Sequence, residues 1–228
     1  MQSPGLSKAQ SPGLVKAQAP VPAGGAPSPA AALFGEDFPE FVREGSGELD
    51  ITVDVPIPPG FLLVDTERCG GGYFSVHAID EAGTQGRLIA NTNLEDFNGR
   101  TLMRYDGRSP LRLRVHAVNR RWKVAVRPVS AVEELGLGAK GRGRDVLLHT
   151  GPSSELSAQL RSEDEHALFD VESFAPCARG DWDGYLLVNE ASRLPKYWVA
   201  LPAGPVLVTV GASEGDWTLE VRPPTRLP

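Results

Sequence analysis

The chain contains the same stretch of sequence twice. Residues 110–128 read PLRLRVHAVNRRWKVAVRP, and 95 positions later residues 205–223 read PVLVTVGASEGDWTLEVRP, with a tryptophan near the same place in both. Upstream the correspondence continues with small slips and pairs residues 88–91 (LIAN) with residues 186–189 (LLVN). A unit of about 90–100 residues that is used twice predicts two related domains in tandem.

Composition adds two further segments to this pair of domains. Residues 1–32 are rich in Pro, Ala, Gly and Ser and have few large apolar side chains. Because such a segment cannot bury enough surface to offset the entropy of ordering, we predict a disordered arm. The first domain is expected at 33–130, a linker with clustered glycines at 131–142, and the second domain at 143–228.

Apolar and polar residues alternate along each repeat. Leu111, Leu113 and Val115 alternate with Arg112 and Arg114, which is the period of a β-strand with one buried face. Turn sequences rich in Gly and Pro separate such stretches about every ten residues. The sequence therefore predicts an all-β protein with two tandem antiparallel β-sandwich domains, preceded by the disordered Pro/Ala/Gly-rich arm.

The alternation places most of the expected strands. They are predicted at 49–55, 60–66, 73–79, 87–91, 111–115 and 122–127 in the first domain, and at 145–149, 155–160, 167–174, 185–189, 206–210 and 217–222 in the second. Trp122 and Trp217 open the last strand of each repeat, where an indole can cover the end of the core. Residues 33–42 (LFGEDFPEFV) are expected to pack on the first domain as a lead-in strand or turn.

Charge and hydropathy exclude several classes of partner. The net charge of −6, with 29 acidic and 23 basic residues, gives no electrostatic case for nucleic-acid binding. No segment approaches the ~18 consecutive apolar residues of a membrane span. The N-terminus has no basic stretch followed by an apolar run, and Cys69 and Cys177 occupy non-equivalent places in the repeats. We therefore expect reduced thiols, a cytoplasmic location and, from the Arg-, Gly- and Pro-rich composition, a bacterial source.

The arm contains a second, shorter duplication. Residues 3–10 (SPGLSKAQ) are followed by residues 11–18 (SPGLVKAQ), and seven of the eight positions are the same. One interpretation is a neutral linker that grew by slippage in a GC-rich tract. The other is a twofold docking peptide for a protein partner or large assembly, whose leucines enter a pocket and whose lysines meet an acidic rim. Its partner-binding residues are then Pro4, Gly5, Leu6, Lys8, Pro12, Gly13, Leu14 and Lys16.

The residue types that carry catalysis occur without a recognisable pattern. His77, His116, His149 and His166 lack the short spacing of a zinc site and are expected to be solvated strand or loop residues. The chain has no nucleophile elbow, phosphate-binding loop or Cys–His pairing. We therefore predict a protein that is not an enzyme, with no catalytic residues, no cofactor and no metal ligands.

A ligand-binding module is the alternative function. Asp181 and Asp183 could offer oxygens to calcium, or they could form a solvated acidic turn. Phe97 and the pair Tyr197–Trp198 occupy the same interval of the two repeats, where exposed aromatic side chains could contact a sugar or a protein. The competing interpretation of this interval is a strand that returns to the core.

Two resemblances accompany these patterns. At the LIAN and LLVN phrases and the Trp-led strands, residues 45–225 resemble a β-sandwich repeat of uncharacterised actinobacterial proteins, which implies the fold and no catalytic residues. The arm fragments GLSKAQ and GLVKAQ are faintly similar to the Leu-Ser-Lys-Gly-Gln opening of the tellurite-resistance stress proteins, which are calcium-binding sandwiches. Here Ala replaces the Gly and that family's acidic calcium motifs are missing, so no site residues carry over.

The sequence as a whole favours binding over catalysis. We expect a non-catalytic binding or adaptor protein that docks to a protein partner or assembly through its N-terminal repeat peptide, its sandwich surfaces, or both. A carbohydrate- or calcium-binding β-sandwich module is the alternative.

Overall fold

The structure, a computed structural model, describes residues 29–118, 120–163, 167–176, 182–191, 198–212 and 215–225. Within these residues the chain forms seventeen β-strands, a short helix α1 (Pro29–Phe34) and a 3₁₀ turn (Val129–Ala131). The strands form four sheets, two in each repeat. The predicted all-β architecture of two tandem antiparallel β-sandwiches is confirmed.

The first sandwich contains eight strands. These are β1 (Phe41–Ser46), β2 (Leu49–Thr52), β3 (Gly60–Arg68), β4 (Phe74–Ile79), β5 (Gln85–Thr92), β6 (Phe97–Tyr105), β7 (Arg112–Ala117) and β8 (Arg121–Pro128). They form two sheets with the orders β1-β8-β3-β6 and β2-β7-β4-β5, and all neighbours are antiparallel. Eight strands in this order form a jelly roll.

The second sandwich repeats this arrangement and adds one strand. Its strands are β9 (Glu133–Glu134), β10 (Gly138–Arg142), β11 (Asp145–His149), β12 (Ser154–Arg161), β13 (Leu168–Pro176), β14 (Trp182–Ala191), β15 (Val199–Leu201), β16 (Val206–Ala212) and β17 (Asp216–Arg222). The sheet orders are β10-β17-β12-β15 and β14-β13-β16-β11-β9. Strands β10–β17 correspond in order to β1–β8, while β9 pairs in parallel with the edge of β11.

One tryptophan closes the same end of each sandwich. The indole N–H of Trp122 donates a 2.9 Å hydrogen bond to the carbonyl of Gly47. Gly45 lies beneath the ring, where an added Cβ would be 2.5 Å from a ring carbon. In the second sandwich the indole N–H of Trp217 donates a 2.8 Å hydrogen bond to the carbonyl of Gly143, and Gly141 lies beneath the ring. Both indoles are buried in their cores, as predicted.

A β-bulge explains why the LIAN and LLVN phrases repeat. The register between β4 and β5 shifts at Ile89, and the register between β13 and β14 shifts at Leu187, so that each residue has no partner on the neighbouring strand. Both extra side chains are buried in the core. Because a bulge bends and twists its strand, both sandwiches turn the same edge strand in the same way.

The structure differs from the sequence predictions at two junctions. Residues 29–32, the end of the predicted arm 1–32, are helical in α1, while residues 1–28 lie outside the described residues. The predicted linker 131–142 contains β9 and β10. β10 was missed because its glycines, which suggested a flexible segment, instead allow it to approach the ring of Trp217.

The two sandwiches contact each other through a third apolar cluster, which we call the seam. Strand β3 is buried on both faces: Leu62 and Val64 enter the first core, while Phe61 and Leu63 enter the seam. Leu102 joins them from β6. The second sandwich contributes the outer face of its five-stranded sheet, through Val146, Leu148 and Leu207.

Helix α1 completes the seam. Ala30 and Phe34 are each only 1% exposed, and they pack in the seam cluster. The Phe34 ring lies 6.4 Å from that of Phe61, which in turn lies 6.0 Å from that of Phe174 in an edge-to-face contact. The predicted packing of residues 33–42 is confirmed, since Phe34 enters the seam and Phe38 enters the first core.

A Gly45→Ala substitution should destabilise the protein because the new methyl group would overlap the Trp122 ring. Overpacking of this kind costs about 1–3 kcal/mol of unfolding free energy, which urea denaturation would measure. Gly71→Ala is the matched control, because a Cβ there meets only Glu95 at 3.6 Å. Equal midpoints for the two variants would contradict the tight contact.

A Phe34→Ala substitution should remove the ring that joins both sandwiches. A buried Phe→Ala change costs about 3–5 kcal/mol, and we expect that loss in a single thermal or urea transition. The neighbouring Leu33→Ala, at a side chain that is 41% exposed, serves as the control. A Phe34→Ala chain as stable as Leu33→Ala would show that α1 does not contribute to the seam.

Candidate functional site

The predicted partner-binding peptide precedes a well-anchored helix. Residues 3–18, with both copies of the repeat, lie outside the described residues. The described chain begins at Pro29, and α1 is fixed in the seam by Ala30 and Phe34. The arm is therefore attached to the body at the junction of the two sandwiches.

A cleft opens beside this attachment point. It has a volume of about 440 Å³ and is open to solvent. One side is formed by the end of α1 and the residues after it, and the other by β6 and its following turn. The lining residues are Leu33, Phe34, Gly35, Glu36, Pro59, Gly60, Arg104, Tyr105, Asp106 and Arg108.

Two glycines allow the backbones to meet at the floor of the cleft. A Cβ on Gly35 would lie 2.6 Å from the carbonyl oxygen of Phe61. A Cβ on Gly60 would lie 2.9 Å from the Cα of Gly35, and its φ of +147° also disfavours other residues. The segment after α1 is thereby held against the start of β3.

The turn after β6 carries the charged wall of the cleft. The Tyr105 hydroxyl donates a hydrogen bond to the carbonyl of Ser109, and the backbone N–H of Arg108 donates to Asp106 at 3.1 Å. These bonds fix the turn. Arg104 is exposed and forms no hydrogen bond or ion pair with any described residue, and the same holds for Glu36 across the cleft. The cleft therefore offers a guanidinium and a carboxylate that are not bonded to any other described residue.

A second polar surface covers the outer face of the sheet β2-β7-β4-β5, which we call the open face. Arg114 donates to both oxygens of Asp50, at 2.7 and 2.8 Å, and this hydrogen bonding lowers the pKa of the Asp50 carboxyl. Arg112 donates to the carbonyls of Asp80 and Glu81 at 3.2 and 3.1 Å. The guanidinium groups of Arg112 and Arg114 are thus bonded to other residues of the chain.

Two of the four histidines lie on the open face. The rings of His77 and His116 stand edge to face with centroids 6.3 Å apart. His116 lies 3.0 Å from the Gln85 side-chain nitrogen and 3.4 Å from Glu48. Burial, followed by the charge of His116, lowers the pKa of His77. This places His77 in its neutral form at neutral pH.

The other histidines differ from each other. His149 is 4% exposed and lies 3.1 Å from the Pro152 carbonyl, so the expectation that it is solvated is wrong. Gly151 packs directly against the imidazole, since a Cβ there would lie 2.9 Å from a ring carbon. His166 lies outside the described residues.

The aromatic interval of the two repeats is not an exposed loop in the first sandwich. Phe97 opens β6 and is buried in the first core, 6.2 Å from Phe74, so the returning-strand interpretation is confirmed there. In the second sandwich the guanidinium of Arg222 lies 3.8 Å from the centre of the Trp198 ring. Tyr197 lies outside the described residues.

The acidic residues proposed for calcium cannot be placed as a site. Asp181 lies outside the described residues, and for Asp183 only the backbone, in β14, is described. Across the described residues, no group of three or more His, Cys, Asp or Glu side chains is arranged to hold a metal ion. The described helices include none that is long and apolar enough to cross a membrane.

These features define a tandem jelly-roll protein with an arm fixed at the seam and a charged cleft beside it. No family model and no curated protein matches the chain. Among solved structures, it is similar to the tandem CBM22-1–CBM22-2 domain of Paenibacillus barcinonensis Xyn10C, with 8% identity and a TM-score of 0.27, covering 80% of this chain and 92% of that one.

Two further solved structures are similar at the same low level. For Sulfolobus Turreted Icosahedral Virus the identity is 10% and the TM-score 0.25, with 82% of this chain and 61% of that chain covered. For vicilin from Corylus avellana (hazelnut) the identity is 11% and the TM-score 0.21, with 82% of this chain and 76% of that chain covered. None of these similarities identifies a family.

Two aspartates should respond oppositely to pH. Burial raises the pKa of Asp170, so the folded state binds its proton more tightly than the unfolded chain. Its charge therefore lowers stability at neutral pH, and that cost disappears as the pH falls toward the ordinary aspartate value. We expect Asp170→Asn to raise the Tm at pH 7 by about 2 °C, with the gain shrinking near pH 4.

Asp50→Asn is the matched comparison. Because the pKa of Asp50 is lowered in the folded state, its charge contributes stability above the unfolded pKa, which is lost as the pH falls through the folded pKa. This variant should melt below the wild type at pH 7 and approach it in acid. Thermal melts of the wild type and both variants between pH 3 and pH 8 would check these expectations. If the two pKa assignments are wrong, the Tm difference between each variant and the wild type will not change with pH.

Proposed function

We propose that this protein is a non-catalytic adaptor that binds a protein partner or a large assembly through its duplicated N-terminal peptide. The observation that carries the proposal is the burial of Ala30 and Phe34 in the seam. An arm that served only as a spacer would not require its last residues to pack between two domains. Here the arm extends from a fixed point on a body that the seam holds together.

The chemistry of the arm suits recognition by an acidic, partly apolar surface. Each copy of the repeat presents one leucine and, two residues later, one lysine, while the proline two residues before the leucine has a restricted φ. Residues 1–28 contain no acidic side chain, and all 29 acidic residues of the chain follow Gly35. A partner with an acidic rim around an apolar pocket would distinguish the arm from the rest of the protein.

Two copies in sequence support avidity. When one copy is bound, the other experiences a local concentration set by a linker of only a few residues, so a bivalent or repetitive partner is bound far more tightly than by one copy. This favours an assembly that displays many identical sites. The exposed free thiol of Cys69 is compatible with a reducing compartment and supports a cytoplasmic location.

The alternative function, a carbohydrate-binding module, loses one of the arguments that the sequence offered for it. It relied on exposed aromatic side chains in both repeats, but Phe97 is part of the first core and one face of Trp198 is covered by Arg222. No described residue favours calcium over a solvated acidic turn.

Replacing both repeat leucines should abolish partner binding. We expect quantitative mass spectrometry of pull-downs from the native host to show at least a tenfold loss of a specific partner for Leu6→Ala/Leu14→Ala, with a smaller loss for either single variant. The control is Ser7→Ala/Val15→Ala, at the one position where the two copies differ. Equal recovery with the leucine variant and the control would exclude the repeat as the docking element.

A further inference from the structure

We propose that one copy of the repeat peptide docks in the cleft beside α1 of its own chain. That copy then occupies the cleft until a partner displaces it. This inference rests on the proposed function in taking the repeat as a docking peptide. It adds a regulatory site in the body, formed by Leu33, Glu36, Pro59 and Arg104.

The first argument is where the arm is attached. The cleft is lined by Leu33 and Phe34, the last residues of α1, and the arm joins the other end of the same six-residue helix. Such a helix is about 9 Å long. Residues 19–28, which separate the second repeat copy from α1, can span up to about 35 Å. Both copies can therefore reach back to the cleft.

The second argument is chemical complementarity. Leu33, although in an otherwise well-packed segment, is 41% exposed at the cleft and offers an apolar contact for Leu6 or Leu14, together with Pro59. The exposed carboxylate of Glu36 has no partner within the described part of the chain and offers one for Lys8 or Lys16. Each copy has one leucine and one lysine, and the cleft has one apolar surface, at Leu33 and Pro59, and one carboxylate, at Glu36.

The third argument concerns Arg104. Elsewhere in this chain arginines hold loops by donating to backbone carbonyls, as Arg112 does to Asp80 and Glu81 and Arg68 does to Glu95. Arg104 has the same type of side chain at the cleft but no partner among the described residues. An extended Pro-Gly-Leu segment carries unpaired carbonyls that this guanidinium can bind.

Tethering makes even weak docking effective. A linker of this length gives a local concentration on the order of 1 mM, so a peptide–cleft affinity in the millimolar range already occupies the cleft for much of the time. Because there is one cleft and there are two copies, the second copy stays available to make the first contact with a partner. Full engagement of both copies then requires release from the cleft.

The test is trypsin cleavage after Lys8 and Lys16 in the full-length folded protein, followed by mass spectrometry. Docking shields one copy at a time and leaves the other free, so Glu36→Gln/Arg104→Ala should increase the combined cleavage rate by up to about twofold, while the exposed β1 variant Arg43→Ala should leave it unchanged. Thermal melts of each variant would verify that the body remains folded. Equal cleavage rates in the wild type and the cleft variant would overturn the proposal.

A second readout separates this proposal from the adaptor function. In ¹⁵N-labelled full-length protein, the amide resonances of Gly5 and Gly13 should move in the cleft variant and not in Arg43→Ala. If they do not move while the leucine variants still lose their partner, self-docking is wrong and the adaptor function stands. If they move but no partner depends on Leu6 or Leu14, the cleft binds the arm and the adaptor function is wrong.

Discussion

Apolar contact between the outer faces of two sheets makes one body of this protein. Burial of a large aliphatic or aromatic side chain contributes about 1.5–3 kcal/mol, so the seam contributes on the order of 10 kcal/mol, as much as the net stability of an ordinary domain. Phe61 is central because it touches Phe34 of α1 on one side and Phe174 of the second sandwich on the other. Without this contact the arm would have no fixed origin, and the cleft beside α1 would lose one wall.

Much of the fold could be predicted because the residues that recur have the same structural role in both sandwiches. A tryptophan recurs because in each sandwich an indole packs over a glycine and closes one end. The LIAN and LLVN phrases recur because each edge strand has a bulge, at Ile89 in the first sandwich and at Leu187 in the second. The Gly-x-Gly pair at residues 45–47 and 141–143 recurs for the same reason as the tryptophan. That pair could have revealed β10, had glycine been interpreted as close packing instead of flexibility.

The seam and the cleft could not be predicted in the same way, because they depend on contacts between elements distant in the sequence. A signal for the seam does exist: the uninterrupted apolar run at residues 61–64 is typical of a strand buried on both faces. Helix α1 has no such signal, since six residues are too few to be helical without tertiary packing. The charges of Glu36 and Arg104 become a site only where Gly35 and Gly60 bring their segments together.

The contact between the sandwiches is head to tail, because unlike sheets of the two repeats meet. Contacts of that kind can propagate into filaments when both free ends carry the same complementary surfaces. By strand register, the seam residues Val146, Leu148 and Leu207 of the second repeat correspond in the first to Asp50, Thr52 and Arg112. At the other end Glu155, paired with Arg222, stands where the first repeat has Leu63. Charged and polar side chains thus stand at the two outer ends in place of the apolar side chains through which the sandwiches meet, so these positions do not offer a second apolar seam of the same kind.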